Sequence, residues 1–133
     1  MAKASGLGQT TLSVDDSAGT PTVIKNDVSN WDISTPRSPW DVTGVDKSAM
    51  ERLLLLADVS VTLNGPFNGT GAHLVFRTVP STSVARTSTF TVNGVTLAPE
   101  ILYTDYKVTR AVGGALTWSA PGSLADGTIP TWS

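Results

Sequence analysis

The chain has 133 residues, a length that suits one domain built on a single core. Only 15% of its residues are charged, against roughly 25% in an average domain. The nine basic and eleven acidic side chains leave a net charge of −2. With Lys and Arg scattered singly along the chain, a phosphate-gripping surface is excluded. The absence of cysteine excludes disulfides, thiolate metal sites and a Cys nucleophile.

Residues 1–9, MAKASGLGQ, are small and polar and read as an N-terminal arm. No apolar core of a signal peptide follows them. TTLSVDDSAGTP (10–21) reads as a short strand and a turn in which Asp15-Asp16 supplies the turn chemistry. PTVIKNDVSNWDIS (21–34) is an imperfectly alternating strand with Ile24, Val28, Trp31 and Ile33 as apolar points. TPRSPWDVTG (35–44) carries two prolines that force their predecessors extended, which predicts a long, extended loop. SAMERLLLLAD then has the composition of a helix. Ser48 and Glu51 fit an S-x-x-E capping box, and Met50, Leu53, Leu54 and Ala57 share a helical face that Leu55 and Leu56 widen. A short helix over residues 46–57 is therefore expected, packed on one end or face of a sheet.

From Asp58 the period becomes two. Val59, Val61 and Leu63 point one way and Ser60, Thr62 and Asn64 the other. GPFNGTG (65–71) is a turn. AHLVFRTV (72–79) reads as a strand with Ala72, Leu74 and Phe76 on one face. VARTSTFTV (84–92) follows, and Asn93-Gly94 is a strong hairpin signal. EILYTDYKVTRA (100–111) reads as one long strand, turned by Gly113-Gly114 into ALTWSAP (115–121), where Trp118 belongs to the core. About seven to nine strands with one short helix predict a mainly β fold, an antiparallel sandwich or barrel. The whole chain, 1–133, reads as a single domain.

Catalytic constellations are absent from this pattern. His73 is the sole histidine, and a surface or interface role suits it better than a metal site. Glu51 is absorbed by the capping box. No D-x-D-x-D spacing offers a Ca²⁺ loop, no nucleophile elbow occurs, and GLG (6–8) opens no nucleotide-binding unit. No enzyme activity, cofactor or metal is expected. Trp40 lies in the Pro-bracketed loop, where an exposed Trp implies a partner. Trp and Arg are favoured interface anchors, so Arg37, Pro39, Trp40 and Asp41 form the candidate docking element. The alternative is a loop folded back on its own domain.

DVTG-x-D-KSAMERLLLLAD (41–58) and GGALTWSAPGSL-x-x-GT-x-PTW (113–132), with the intervening RTVPSTSVARTSTFTVNGVTL, resemble the tail tube (major tail) proteins of long-tailed, non-contractile bacteriophages, especially those of actinobacterial hosts. The resemblance runs from about residue 10 to the end. It implies a β-sandwich or barrel with a flanking helix. It also implies hexameric rings whose inner sheets join edge to edge, stacked into a hollow tube through which DNA is ejected. Implied partners are further copies of the chain, the tape measure protein, the tail tip or baseplate and a tail terminator. Genomic DNA would pass without sequence-specific binding. The implied place is the virion tail, with synthesis in the bacterial host cytoplasm and no membrane association. On this resemblance the loop 35–44 reaches a neighbouring subunit. Ser60, Thr62 and Asn64, or Thr87, Thr89 and Thr91, are candidates for a polar lumen wall. Three other readings stand beside it: a tail terminator or connector, a head decoration protein, and a carbohydrate-binding β-sandwich. The last needs clustered exposed aromatics.

Overall fold

The computed structural model describes residues 3, 5–9 and 11–133. Residues 1, 2, 4 and 10, which include part of the expected N-terminal arm, lie outside the described residues. Among the described residues, eleven strands and one α-helix follow in chain order: β1 (Thr11–Asp15), β2 (Pro21–Val23), β3 (Asn30–Ser34), β4 (Arg37–Asp41), β5 (Arg52–Ala57), β6 (Ser60–Pro66), α1 (Ala72–Phe76), β7 (Arg86–Val92), β8 (Val95–Leu97), β9 (Glu100–Tyr103), β10 (Lys107–Arg110) and β11 (Leu116–Leu124). A 3-10 turn, Lys25–Asp27, links β2 to β3. The expected mainly β, antiparallel architecture with one short helix is present; the helix itself lies elsewhere.

All strand pairings are antiparallel. One layer runs β2-β1-β7, with β8 folded back on β7. The other runs β3-β6-β11, with β9 and β10 sharing the far edge of β11. β7 joins them: Ser88–Thr91 pair with β1, while Arg86 and Thr87 pair with β9. Trp31 of β3 meets Phe90 of β7 across the interior at 5.1 Å between ring centroids. The two layers therefore face each other around one core.

Alternation fills that core from Val59 and from Val61 and Leu63 of β6, buried as expected, and from Trp118 and Ala120 of β11. The Phe76 ring lies tilted against Trp118 at 5.2 Å between centroids and meets Tyr103 edge-on at 5.0 Å. The Tyr103 hydroxyl bonds Ser88 Oγ at 2.7 Å. Burial pushes the Tyr103 phenol well above its ordinary value, a shift that the Ser88 bond opposes.

Three expectations are corrected. Residues 46–57 form no helix: 42–51 are an irregular connection and 52–57 are strand β5, paired with β4. The apolar points of the Leu run suit a strand as well as a helix, and cross-strand neighbours Trp40 and Pro39 hold it extended. The supposed capping box does not form, because the Glu51 N–H donates to Thr43 Oγ1 at 2.7 Å. Conversely, residues 72–76 are helical. Ala72, Val75 and Phe76 are buried at i, i+3 and i+4 while Leu74 is 44% exposed, which is helical periodicity. Finally, 100–111 is two strands. Residues 104–106 interrupt the ladder beside Pro121, whose carbonyl accepts the Thr104 N–H but which has no N–H to return, and Tyr106 turns in against the core.

Asn93-Gly94 turns β7 into β8 with positive φ at both residues, 50° and 82°, as a tight primed hairpin requires. Asp16 Oδ1 accepts the N–H groups of Ala18 and Thr20, so it carries the turn read at 15–16.

Buried Asp27 ties the helix to the sheet. Its Oδ2 accepts the Ala72 N–H at 2.9 Å, at the start of α1, and its Oδ1 accepts Asn68 Nδ2 at 3.0 Å. Its carbonyl accepts the Trp118 indole N–H at 3.1 Å. Gly65 and Gly71 lie so close that a Cβ on either would overlap Asp27 atoms, so both positions need glycine for approach. Asp27→Ala is expected to lower unfolding stability by about 2–4 kcal/mol, read from the urea midpoint. A loss below about 0.5 kcal/mol would contradict this role.

Candidate functional site: an apolar hairpin and a polar sheet face

The β4–β5 hairpin stands off the body. All five residues of β4 are exposed, as are five of the six in β5. Trp40 is 57% exposed, Leu54 57% and Leu56 94%. A strand alternates its side chains, so four consecutive leucines present apolar surface on both faces. A lone two-stranded hairpin is at best marginal in water, and local bonds secure this one. Arg37 folds its guanidinium onto β5, with Nε 2.8 Å from the Leu55 carbonyl and Nη2 3.2 Å from that of Leu54. It does so beside the bulge where register shifts between Arg37 and Pro39. At the tip, Thr43 Oγ1 donates to the Glu51 carbonyl and accepts its N–H. The Thr43 side chain and backbone N–H also hold the Asp41 carboxyl below its usual range. At the base, Asp58 N–H bonds the Pro36 carbonyl at 3.0 Å. There an apolar groove of about 660 Å³ opens between Leu54–Ala57 and Leu124, Gly127 and Ile129.

The candidate residues Arg37, Pro39, Trp40 and Asp41 are thus brought together on β4, an extended strand where a loop was expected. Their roles divide: Arg37 is spent inside the hairpin, Asp41 caps the turn, and Trp40 faces solvent across from Leu53. Leu53–Leu56 were expected to cover the domain's own sheet; they belong to this exposed surface instead.

Ser60, Thr62 and Asn64 share the outward face of β6. Register carries that face across the layer, to Asn30, Asp32 and Ser34 on β3 and to Thr117, Ser119 and Ser123 on β11. From β11 it reaches Lys107 and Thr109 on β10. The surface is mainly polar, interrupted by Pro66 and Pro121 and, on β9, by exposed Leu102; Asp32, Lys107 and Glu100 are its charged members. Thr87 meets this face at its β9 end, opposite Glu100, and Thr89 and Thr91 continue along the same side of β7. They are half-buried on the outward side of β7, in or at the corner of the other layer. There the Thr87 hydroxyl donates to Glu100 Oε1 and Thr91 meets Thr96 at 3.0 Å.

Other groups with chemical potential are used structurally. His73 lies on α1, where its Nδ1 bonds the Tyr106 hydroxyl at 3.0 Å beside Phe67. Buried Arg86 donates to the carbonyls of Asp15 and Val75 and to Thr78 Oγ1. Burial pushes its guanidinium down, opposed by Asp16, Tyr103 and Asp15. Among the described residues no group of three or more His, Asp or Glu is placed to hold a metal, and no helix is long and apolar enough to cross a membrane.

The mainly β fold has solved counterparts. A chain in the tail of an empty gene transfer agent particle, determined by helical refinement with C6 symmetry, matches with a TM-score of 0.72 at 15% identity. The match covers 92% of this chain and 95% of that one. A chain from the virion of a native gene transfer agent particle matches with a TM-score of 0.69 at 14% identity, over the same shares. At these identities the likeness is one of fold. No protein-family model matches the chain, and no curated protein matches it.

Arg37→Met, which keeps the apolar stem and removes the donors, is expected to speed amide exchange at Val42 and Asp58 roughly tenfold while leaving core amides unchanged. Unchanged exchange at both would show that the guanidinium does not hold the hairpin.

Proposed function

We propose that the chain is a self-assembling structural subunit of a phage-type virion tail. In this reading hexameric rings stack into the tail tube of a long-tailed, non-contractile particle, and the tube conducts DNA at ejection. The exposed hairpin carries the proposal. A half-exposed leucine gains about 1 kcal/mol on burial, so Trp40 and Leu53–Leu56 together favour a protein partner by several kcal/mol. The fold likeness to a chain from a C6 helical tail makes further copies of the chain the natural partner. Residues 35–57 reach the neighbouring subunit or ring with Trp40 as anchor, and Arg37 shapes the contact by holding the strand that bears the leucines.

The polar face through Ser60, Thr62 and Asn64 is the better candidate for the lumen wall. It is broad, and its charged residues, Asp32, Glu100 and Lys107, are mostly acidic. Such a wall offers DNA no cationic grip. The Thr87, Thr89 and Thr91 row lies where β7 turns into the other layer, with Thr87 and Thr91 engaged by Glu100 and Thr96. The tape measure protein, tail tip and terminator are the partners at the tube's core and ends. The role is structural and needs no catalysis or cofactor.

Trp40→Ala and Leu54→Asp test this reading. Both are expected to leave a folded monomer, with the wild-type circular dichroism and urea midpoint, because neither side chain enters the core. Both are expected to reduce pelletable assemblies at least tenfold, by roughly the 1.4 kcal/mol per decade that lost burial supplies. Assembly at wild-type yield by both variants would defeat the proposed contact.

A further inference from the structure

The layer β2-β1-β7-β8 has two outer edges, and they are closed in different ways. β2 begins at Pro21, which has no N–H to offer another strand. β8 contains no proline. Its inner side pairs with β7, in the register Phe90–Leu97, Thr91–Thr96 and Val92–Val95. Backbone groups along a strand point alternately to its two sides, so in this three-residue strand the outward N–H and C=O both belong to Thr96. Ser133 takes both. The Thr96 N–H donates to the Ser133 main-chain oxygen at 2.9 Å, and the Ser133 N–H donates to the Thr96 carbonyl at 3.0 Å. Ser133 Oγ reaches the same carbonyl at 3.4 Å. Such a reciprocal exchange is the closely spaced pair of an antiparallel ladder, so Ser133 stands where a further strand would lie on β8.

The segment that delivers Ser133 is held at its two ends. At its start the Ala125 N–H donates to the Glu100 carbonyl at 2.9 Å. From Asp126 to Ser133 seven of the eight residues are exposed and Pro130 is half-buried. None of the eight belongs to the core cluster or to the partly buried residues packed against it. Between the two anchors its one hydrogen bond among the described residues is internal, from the Thr128 N–H to Asp126 Oδ1 at 3.1 Å. Gly127 and Ile129 form one wall of the apolar groove whose other wall is Leu54–Ala57. The bonds at Thr96 are set against the entropy of ordering eight residues, and the balance between the two is close.

We propose that the open side of β8 is a strand-addition site for an extended peptide, filled in cis by Ser133 of a detachable strap, residues 126–133. The strap lifts by local opening while the domain stays folded. Lifting bares the Thr96 edge and removes the Ile129 wall of the groove in one step. The site is independent of the self-assembly reading and stands or falls apart from it.

The test follows amide exchange and chemical shifts by NMR in the full chain. In wild type the Thr96 and Ser133 amides are expected to exchange at least about a hundredfold faster than those of Val61 and Leu63 in the core. Ser133→Pro removes the N–H and keeps the oxygen. It is expected to speed Thr96 exchange roughly tenfold further, with circular dichroism and core exchange unchanged. A synthetic peptide of residues 126–133 at millimolar concentration is expected to shift the Thr96 resonance in this variant. In wild type, where the tethered strap competes at high effective concentration, the shift is expected to be roughly tenfold smaller. A wild-type Thr96 amide that exchanges only as fast as the core makes the strap a fixed part of the fold and overturns the proposal, whether or not the variant folds. A folded variant with unchanged Thr96 exchange overturns it too, as does a peptide that leaves Thr96 unshifted or shifts it equally in both chains.

Discussion

Asp27 is the constraint on which the rest of the fold depends. One buried residue accepts the first N–H of the helix and an Asn68 amide with its carboxylate, and the Trp118 indole with its carbonyl. The turn after β2, the chain leaving β6, the helix and the middle of β11 are therefore fixed to one another. The backbone comes in close enough that Gly65 and Gly71 have no room for a side chain. Around this point Phe76, Tyr103 and Trp118 pack into an aromatic centre, and the two layers close on it.

That closure is complete without the hairpin. No residue from 35 to 58 belongs to the core cluster or to the partly buried residues packed against it. The domain thus keeps its stability in one place and its spare apolar surface in another. The apolar hairpin is held in shape by Arg37 and Thr43 but not covered. One such contact is worth only a few kcal/mol. In the proposed assembly, repeated around rings and between them, it becomes cooperative, because later contacts form at high effective concentration. In that proposal the polar layer supplies the opposite quality, a surface with few cations to hold a polyanion.

Much of this was legible in the sequence, and the losses have physical reasons. Alternation from Val59 to Asn64 and the turn at Asn93-Gly94 are local signals, and they hold in the structure. SAMERLLLLAD carried good helical composition, yet a run apolar at every position fits a strand whose two faces both await partners. Cross-strand pairing with Trp40, invisible in a local window, decides the matter. AHLVF shows both alternation and i, i+3, i+4 spacing, and only the depth of Val75 against the exposure of Leu74 separates them. Exposed Trp40 was readable from its proline-rich setting. The leucines were assigned to the wrong surface because their secondary structure was. Asp32 and Lys107 gave no signal, since a shared face exists only once strand order and register are known.

The most direct measurement is electron microscopy of the purified chain at rising concentration, paired with its light-scattering mass. Hollow filaments of stacked rings, with mass climbing as concentration rises, are the predicted result. Single closed rings that never stack would contradict the tube. A chain that stays monomeric at every concentration, even with tail-tip material added as a nucleus, would contradict self-assembly altogether.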